Sequence, residues 1–127
     1  MSKARQNADG IEYGSNANGS YTKFPDGTLI CWMDHSFGPP SGWSGTAGNK
    51  LENYTWTYPH AFLETPRVFA SGDQEQAAAN TTGEVIISPR RQFSNSATAA
   101  KISAKEIGGT NDGNSAAGSF LAIGRWK

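Results

Sequence analysis

The feature that most constrains this chain is a phrase near its start, YTKFPDGTLICW, running from Tyr21 to Trp32. Two runs of strand-forming residues flank Phe24-Pro25-Asp26-Gly27. Pro25 presets φ for the second position of a type I turn, and Asp26 tolerates the position after it. Gly27 then supplies the left-handed residue that completes a bulged loop. The phrase therefore predicts a hairpin, Ser20–Phe24 against Thr28–Asp34. In its second strand Leu29, Cys31 and Met33 share one face, while Ile30 and Trp32 share the other. A strand apolar on both faces belongs in the middle of a sheet or at a contact between subunits.

The remaining segments read the same way. LENYTWTYP alternates, with Tyr54, Trp56 and Tyr58 on one face and Thr55 and Thr57 on the other; Pro59 ends the run. The segment RVFAS begins a strand after Pro66. EVIIS is β-branched, and RRQFS is expected to continue it beyond Pro89. ATAAKISAKEI permits a helix, but Thr98, Ala100, Ile102 and Ala104 alternate against Lys101, Ser103 and Lys105. No apolar stripe at helical spacing appears there, so a strand is expected. SFLAIGRWK closes the chain, with Phe120 and Ala122 opposite Leu121 and Ile123. Residues 35–50 hold Pro39-Pro40 and four glycines and are expected as a long loop. Gln74–Ala79 is compatible with one helical turn, although the Asn80–Gly83 turn favours a loop. About seven short strands spaced by turn signals predict an all-β fold, an antiparallel sandwich.

A chain of 127 residues is one ordinary domain. Residues 1–19 carry almost no apolar spacing beyond Ile11 and Tyr13. They are expected as an extended arm or stalk end that needs a partner to become ordered, with the sandwich occupying 20–127.

Eleven basic residues balance eleven acidic ones, so the electrostatic footprint of nucleic-acid binding is missing. Arg90-Arg91 is the only compact basic spot. Cys31 is the single cysteine; it allows no intrachain disulfide and reads as a small buried hydrophobe. The first ten residues lack the apolar core of a signal peptide, and no apolar run approaches the ~20 residues that cross a bilayer.

Catalytic chemistry finds little purchase. His35 and His60 stand without a serine or cysteine in a nucleophile context. The carboxylates Asp26, Asp34, Glu52, Glu64, Asp73, Glu75 and Glu84 show no spacing that selects a glycan-cleaving pair. Asn111-Asp112-Gly113-Asn114 lacks the later glutamate of a calcium loop. No catalytic residue, metal ligand or cofactor is expected. The unusual feature is aromatic. Trp43 sits in a Gly/Pro-rich segment, and amphipathic aromatic faces suit sugar rings. The stripe Tyr54, Trp56 and Tyr58 is better read as core or interface.

Three phrases in order, GSNANGSYTKFPDGTLICW, YPHAFLETPRVFAS and the terminal FLAIGRWK, resemble the C-terminal domain of bacteriophage tail-fibre proteins. Residues 14–32, 58–70 and 121–127 carry the resemblance. It implies a β-sandwich similar to H-type lectins, assembled as a homotrimer at a fibre tip of the virion. It also implies binding to a bacterial surface polysaccharide or lipopolysaccharide, with synthesis in the host cytoplasm. A fibre ordinarily carries a long stem before this domain, and only residues 1–13 precede the first phrase. The chain is therefore expected to be a short tip protein, or a fragment with a new start methionine, and a fibre-stem protein is a candidate partner. The family's sugar contacts vary among members, so no residue is carried over by motif. The residues expected to hold a glycan are Asp34, His35 and Trp43, with Arg90 and Arg91 as partners for anionic sugars. Two rival readings stand beside this one: a fibre-tip glycan hydrolase and a ligand-free trimerisation cap.

Overall fold

A computed structural model of the chain describes residues 3–6, 10–37, 51–75, 84–90, 95–107 and 115–127. These residues form nine strands and no helix. In chain order they are β1 (Lys3–Gln6), β2 (Glu12–Asn16), β3 (Gly19–Lys23), β4 (Thr28–Phe37), β5 (Leu51–Thr57), β6 (Arg67–Glu75), β7 (Glu84–Pro89), β8 (Ala99–Ile107) and β9 (Ser115–Arg125). They make two antiparallel sheets. The large sheet runs β1-β2-β3-β4-β9-β6, and the small one β5-β8-β7. The fold is the expected all-β sandwich.

The β3–β4 hairpin forms as the turn chemistry requires. Gly27 N–H donates to the Phe24 carbonyl at 3.0 Å, and Phe24 N–H to the Thr28 carbonyl at 2.8 Å. Gly27 takes φ +101°, and Asp26 Oδ1 accepts from Thr28 N–H at 2.8 Å. The chain's last residues clamp this turn. Arg125 Nη2 donates to the Asp26 carbonyl at 2.7 Å and Trp126 N–H to the Gly27 carbonyl at 2.9 Å.

The core lies between the sheets and alternates large against small. Trp56 pairs with Ala100 across β5–β8, and Phe37 with Ala116 and Cys31 with Ala122 across β4–β9. All six are at most 1% exposed. An alanine beside each bulky side chain lets the facing layers interdigitate at crystal-like density. Deleting the Trp56 ring would leave a cavity worth about 3–5 kcal/mol. Its indole N–H also donates to the Asn18 carbonyl at 2.9 Å, fastening the β2–β3 turn to the small sheet. In β8, Ala100, Ile102 and Ala104 are fully buried, which settles that segment as a strand.

Several expectations are corrected. Of the residues expected as a separate arm, 3–6 and 12–16 pair into the large sheet: β1 and β2 extend it beyond β3 by antiparallel pairing. Main-chain hydrogen bonds need no apolar side chains, and Tyr21 lays its ring across Gly14, where any Cβ would collide with it. Residues 35–37, expected in a loop, are strand: β4 runs to Phe37 in unbroken register with β9. Gln74 and Glu75, read as loop or one helical turn, continue β6 instead. β7 stops at Pro89, which has no N–H to offer a ladder, so Arg90 lies past the strand. The rest of the 35–50 segment, residues 76–83 and residues 91–94 lie outside the described residues.

The register also sets where the remaining segments depart. Phe37, Glu75 and Ser115 end or begin strands at one end of the large sheet. Leu51, Glu84 and Ile107 do so at one end of the small sheet. Ring contacts of Tyr54 with His35 and Phe37 put these two ends side by side.

Candidate ligand-binding face of the large sheet

Strand alternation sends Leu29, Cys31 and Phe37 into the core, and Ile30, Trp32, Asp34 and Ser36 outward. Pairing β4 with β9 and β9 with β6 then builds rows across the outer face. One row is Ile30–Ile123–Arg67, the next Trp32–Leu121–Phe69, and the next Asp34–Ser119–Ser71. The first two rows are largely apolar; the first continues through Thr22 to Tyr13 and the second through Ser20 to Ser15. The third is polar and lies nearer the end from which 38–50, 76–83 and 108–114 depart.

The boundary between the apolar and polar rows is the candidate site. Ser119 Oγ donates to Asp34 Oδ1 at 2.8 Å. Asp34, Ser36, Ala117 and Ser119 line a shallow recess. Ser119 joins it to a second recess bordered by Phe69, Ser71 and Leu121. Phe69 is 56% exposed and Trp32 43%, values high for residues of this size in an ordered sheet. A carboxylate, three serine hydroxyls and an exposed phenyl ring on three adjacent strands make an amphipathic platform. It can accept hydrogen bonds from a polyol and pack against its C–H groups.

The residues expected to bind ligand are distributed unevenly. Asp34 is at this site. His35 borders the recess, but its ring is on the opposite side of β4. There it stacks on Tyr54 with centroids 3.8 Å apart and meets Phe37 edge-on at 4.8 Å. Its Nε2 is 3.9 Å from Glu52 Oε2. Burial lowers the His35 pKa below its ordinary value, and the Glu52 carboxylate pulls the other way without overcoming it. Neighbours in a strand face opposite ways, so Asp34 and His35 do not act on one ligand surface. Arg90 follows β7 in the small sheet, where its N–H donates to the Lys101 carbonyl at 2.8 Å. The structure does not bring it beside Asp34. Trp43 and Arg91 lie outside the described residues.

Phe69, Ser71 and Ser119 were missed by the sequence reading. Their period-2 alternation was visible, but nothing local says which half faces out. Their proximity to Asp34 follows from β9 inserting between β4 and β6.

The sequence matches no family model and no curated relative. Two solved structures are similar in fold. One is an N-truncated R1-type pyocin tail fibre, with TM-score 0.54 and 19% identity over 98% of this chain and 85% of that one. The other is a longer C-terminal piece of the R1 pyocin fibre of P. aeruginosa, with TM-score 0.57 and 20% identity over 98% of this chain. The present chain spans 28% of that longer piece. At such identity the likeness shows a shared fold: nearly the whole chain takes the arrangement found in pyocin tail fibres.

Proposed function

We infer that the chain is the tip domain of a phage or phage-like tail fibre, and that it holds a bacterial surface glycan without cleaving it. The single observation that carries the reading is the Asp34–Ser119 pair set beside the exposed Phe69 ring on the outer sheet. The tail-fibre phrases and the pyocin-fibre fold support the setting. A platform this open binds one sugar weakly. Display of three copies raises avidity through effective concentration rather than through new contacts. The apolar rows around Ile30, Trp32 and Ile123 suit packing between copies, and the threefold number follows the resemblance.

The test is binding of the purified chain to bacterial cells and to arrays of surface polysaccharide. Asp34→Ala and Phe69→Ala are expected to abolish retention while leaving the melting temperature within the scatter of ordinary surface changes. Full binding by both variants would sink the assignment of this face. Release of reducing ends from a bound polysaccharide would replace adhesion by hydrolysis, and no binding to any surface glycan would leave the structural-cap reading.

A further inference from the structure

Charges are unevenly placed on the outer face of the large sheet. Consider the outward positions of β4, of β9 from Ala117 on, and of β6 as far as Ser71. Their cations are Arg67 and Arg125, and their one carboxylate is Asp34. Arg67 is opposite Ile123, two rows from the row that joins Asp34, Ser119 and Ser71, about 13 Å along the strand. Arg125 is one row further, and its guanidinium donates to the main-chain oxygens of Asp26 and Lys127. Surface charges at such separations are largely screened, since the Debye length is about 8 Å in physiological salt. Arg90 follows β7 in the other sheet.

Asp34 takes part in no ion pair among the described residues. Its partner is the neutral Ser119 hydroxyl at 2.8 Å. A carboxylate offers about four acceptor sites, so one hydrogen bond leaves most of its capacity open. Register fixes what surrounds it. Ser119 is directly opposite Asp34 on one side and Ser71 on the other, and Leu121 is directly opposite Phe69 in the adjoining row. Strands β4 and β6 stand about 10 Å apart across β9. One saccharide can therefore lie over β9 with an edge at Asp34 and its C–H face toward Leu121 and Phe69.

We propose that the saccharide held at this face carries a protonated amino group, and that Asp34 selects it over acidic sugars. The inference rests on the glycan-binding reading above and adds the charge of the ligand. The ammonium donates to Asp34 in a charge-assisted hydrogen bond. Ser71 and Ser119 meet hydroxyls, and Phe69 takes the apolar face of the ring. A neutral sugar keeps the last two contacts and forgoes the first. An acidic sugar brings a like charge to Asp34 and finds no cation in the same row, which is discrimination by repulsion as well as by attraction.

The experiment is an NMR titration of the full chain at about pH 6, where an amine is protonated and an aspartate ionised. The backbone amide signals of Ser71 and Ser119 are followed. The probes are D-glucosamine, N-acetyl-D-glucosamine, D-glucose and D-glucuronate; the first two differ by the charge at one position. Glucosamine should bind more tightly than glucose or the acetylated sugar by about threefold or more, the effect of one exposed ion pair, and glucuronate should bind most weakly. Salt at about 1 M, with a Debye length near 3 Å, should remove most of that advantage. Asp34→Asn keeps an oxygen for Ser119 and should abolish the preference. If that variant folds poorly, the ranking in the parent chain and its salt dependence decide. No response to glucosamine, equal binding of glucosamine and glucose, tighter binding of glucuronate, or a preference that persists in Asp34→Asn would overturn the proposal. Cells retained by the parent and lost by Phe69→Ala, with no ranking of the probes by charge, would refute the amino-sugar selectivity and leave adhesion standing. The predicted ranking in a chain that retains no cells would support the selectivity and count against the cell-surface reading.

Discussion

His35 stacks on Tyr54 with ring centroids 3.8 Å apart and planes 18° from parallel, at the end of the sandwich where β4 gives out. The stack favours the neutral imidazole, because a charge there is desolvated. The unfolded chain therefore takes up this proton first as pH falls. Stability is full above about pH 6.5, the ordinary histidine value, and declines as pH drops toward the lowered folded pKa. An NMR titration should place the His35 midpoint below the ordinary histidine value. Glu52→Gln removes the one named influence holding the value up and should lower the midpoint further. A midpoint that rises in this variant would contradict the assigned cause.

Tyr58 is 4% exposed, and its hydroxyl has no hydrogen-bond partner among the described residues. The ring itself is well placed, edge-on to Trp56 at 5.1 Å and to Phe62 at 5.0 Å. Tyr58→Phe keeps both contacts and removes a desolvated hydroxyl that gains nothing in return. The variant should be as stable as the parent or more so, by about 1 kcal/mol, judged by the urea midpoint at unchanged slope. A loss of that size would instead mean that a buried water answers the hydroxyl.

Burial pushes the Cys31 thiol up to about 12, and the thiol donates to the His60 carbonyl at 3.7 Å. The folded form thus keeps a proton that the unfolded chain surrenders near pH 9. Its contribution is complete below pH 9 and is lost between there and pH 12, at no more than about 1.4 kcal/mol per pH unit. An aromatic disulfide reagent at pH 8 should leave the native thiol untouched and titrate it fully in denaturant. Rapid native modification would show that the core opens locally.

How far the sequence disclosed this molecule depends on which physics each residue obeys. Pro25, Asp26 and Gly27 act within four residues of chain, so their turn was legible. Leu29 and Cys31, Trp56, and Ala100 and Ile102 alternate within one strand, so the sandwich was legible too. β1 and β2 were not, because they hold their places through main-chain pairing and through Tyr21 lying over Gly14, neither of which leaves an apolar pattern. The site was half legible. Asp34 stood out as a carboxylate at the end of an apolar run. Its partner Ser119 is 85 residues away and meets it only because β9 comes to rest beside β4. His35 shows the converse, since adjacency in sequence puts its ring on the opposite side of the strand from Asp34.

On the proposed trimeric reading, assembly turns on Trp32. It is 43% exposed at the centre of the outer face, between Ser20 and Leu121, in a strand whose other side is already core. Among the described residues no hydrogen bond or ring contact engages its indole, and replacing a surface side chain ordinarily shifts stability by no more than about 0.5 kcal/mol. A face shared between copies would make the same residue costly to charge, because each copy would bury an unpaired carboxylate against its neighbour. Light scattering at micromolar concentration should therefore find a trimer for the parent chain and a folded monomer for Trp32→Glu. A parent that is strictly monomeric at that concentration, or a variant that still assembles, would remove this face from the interface.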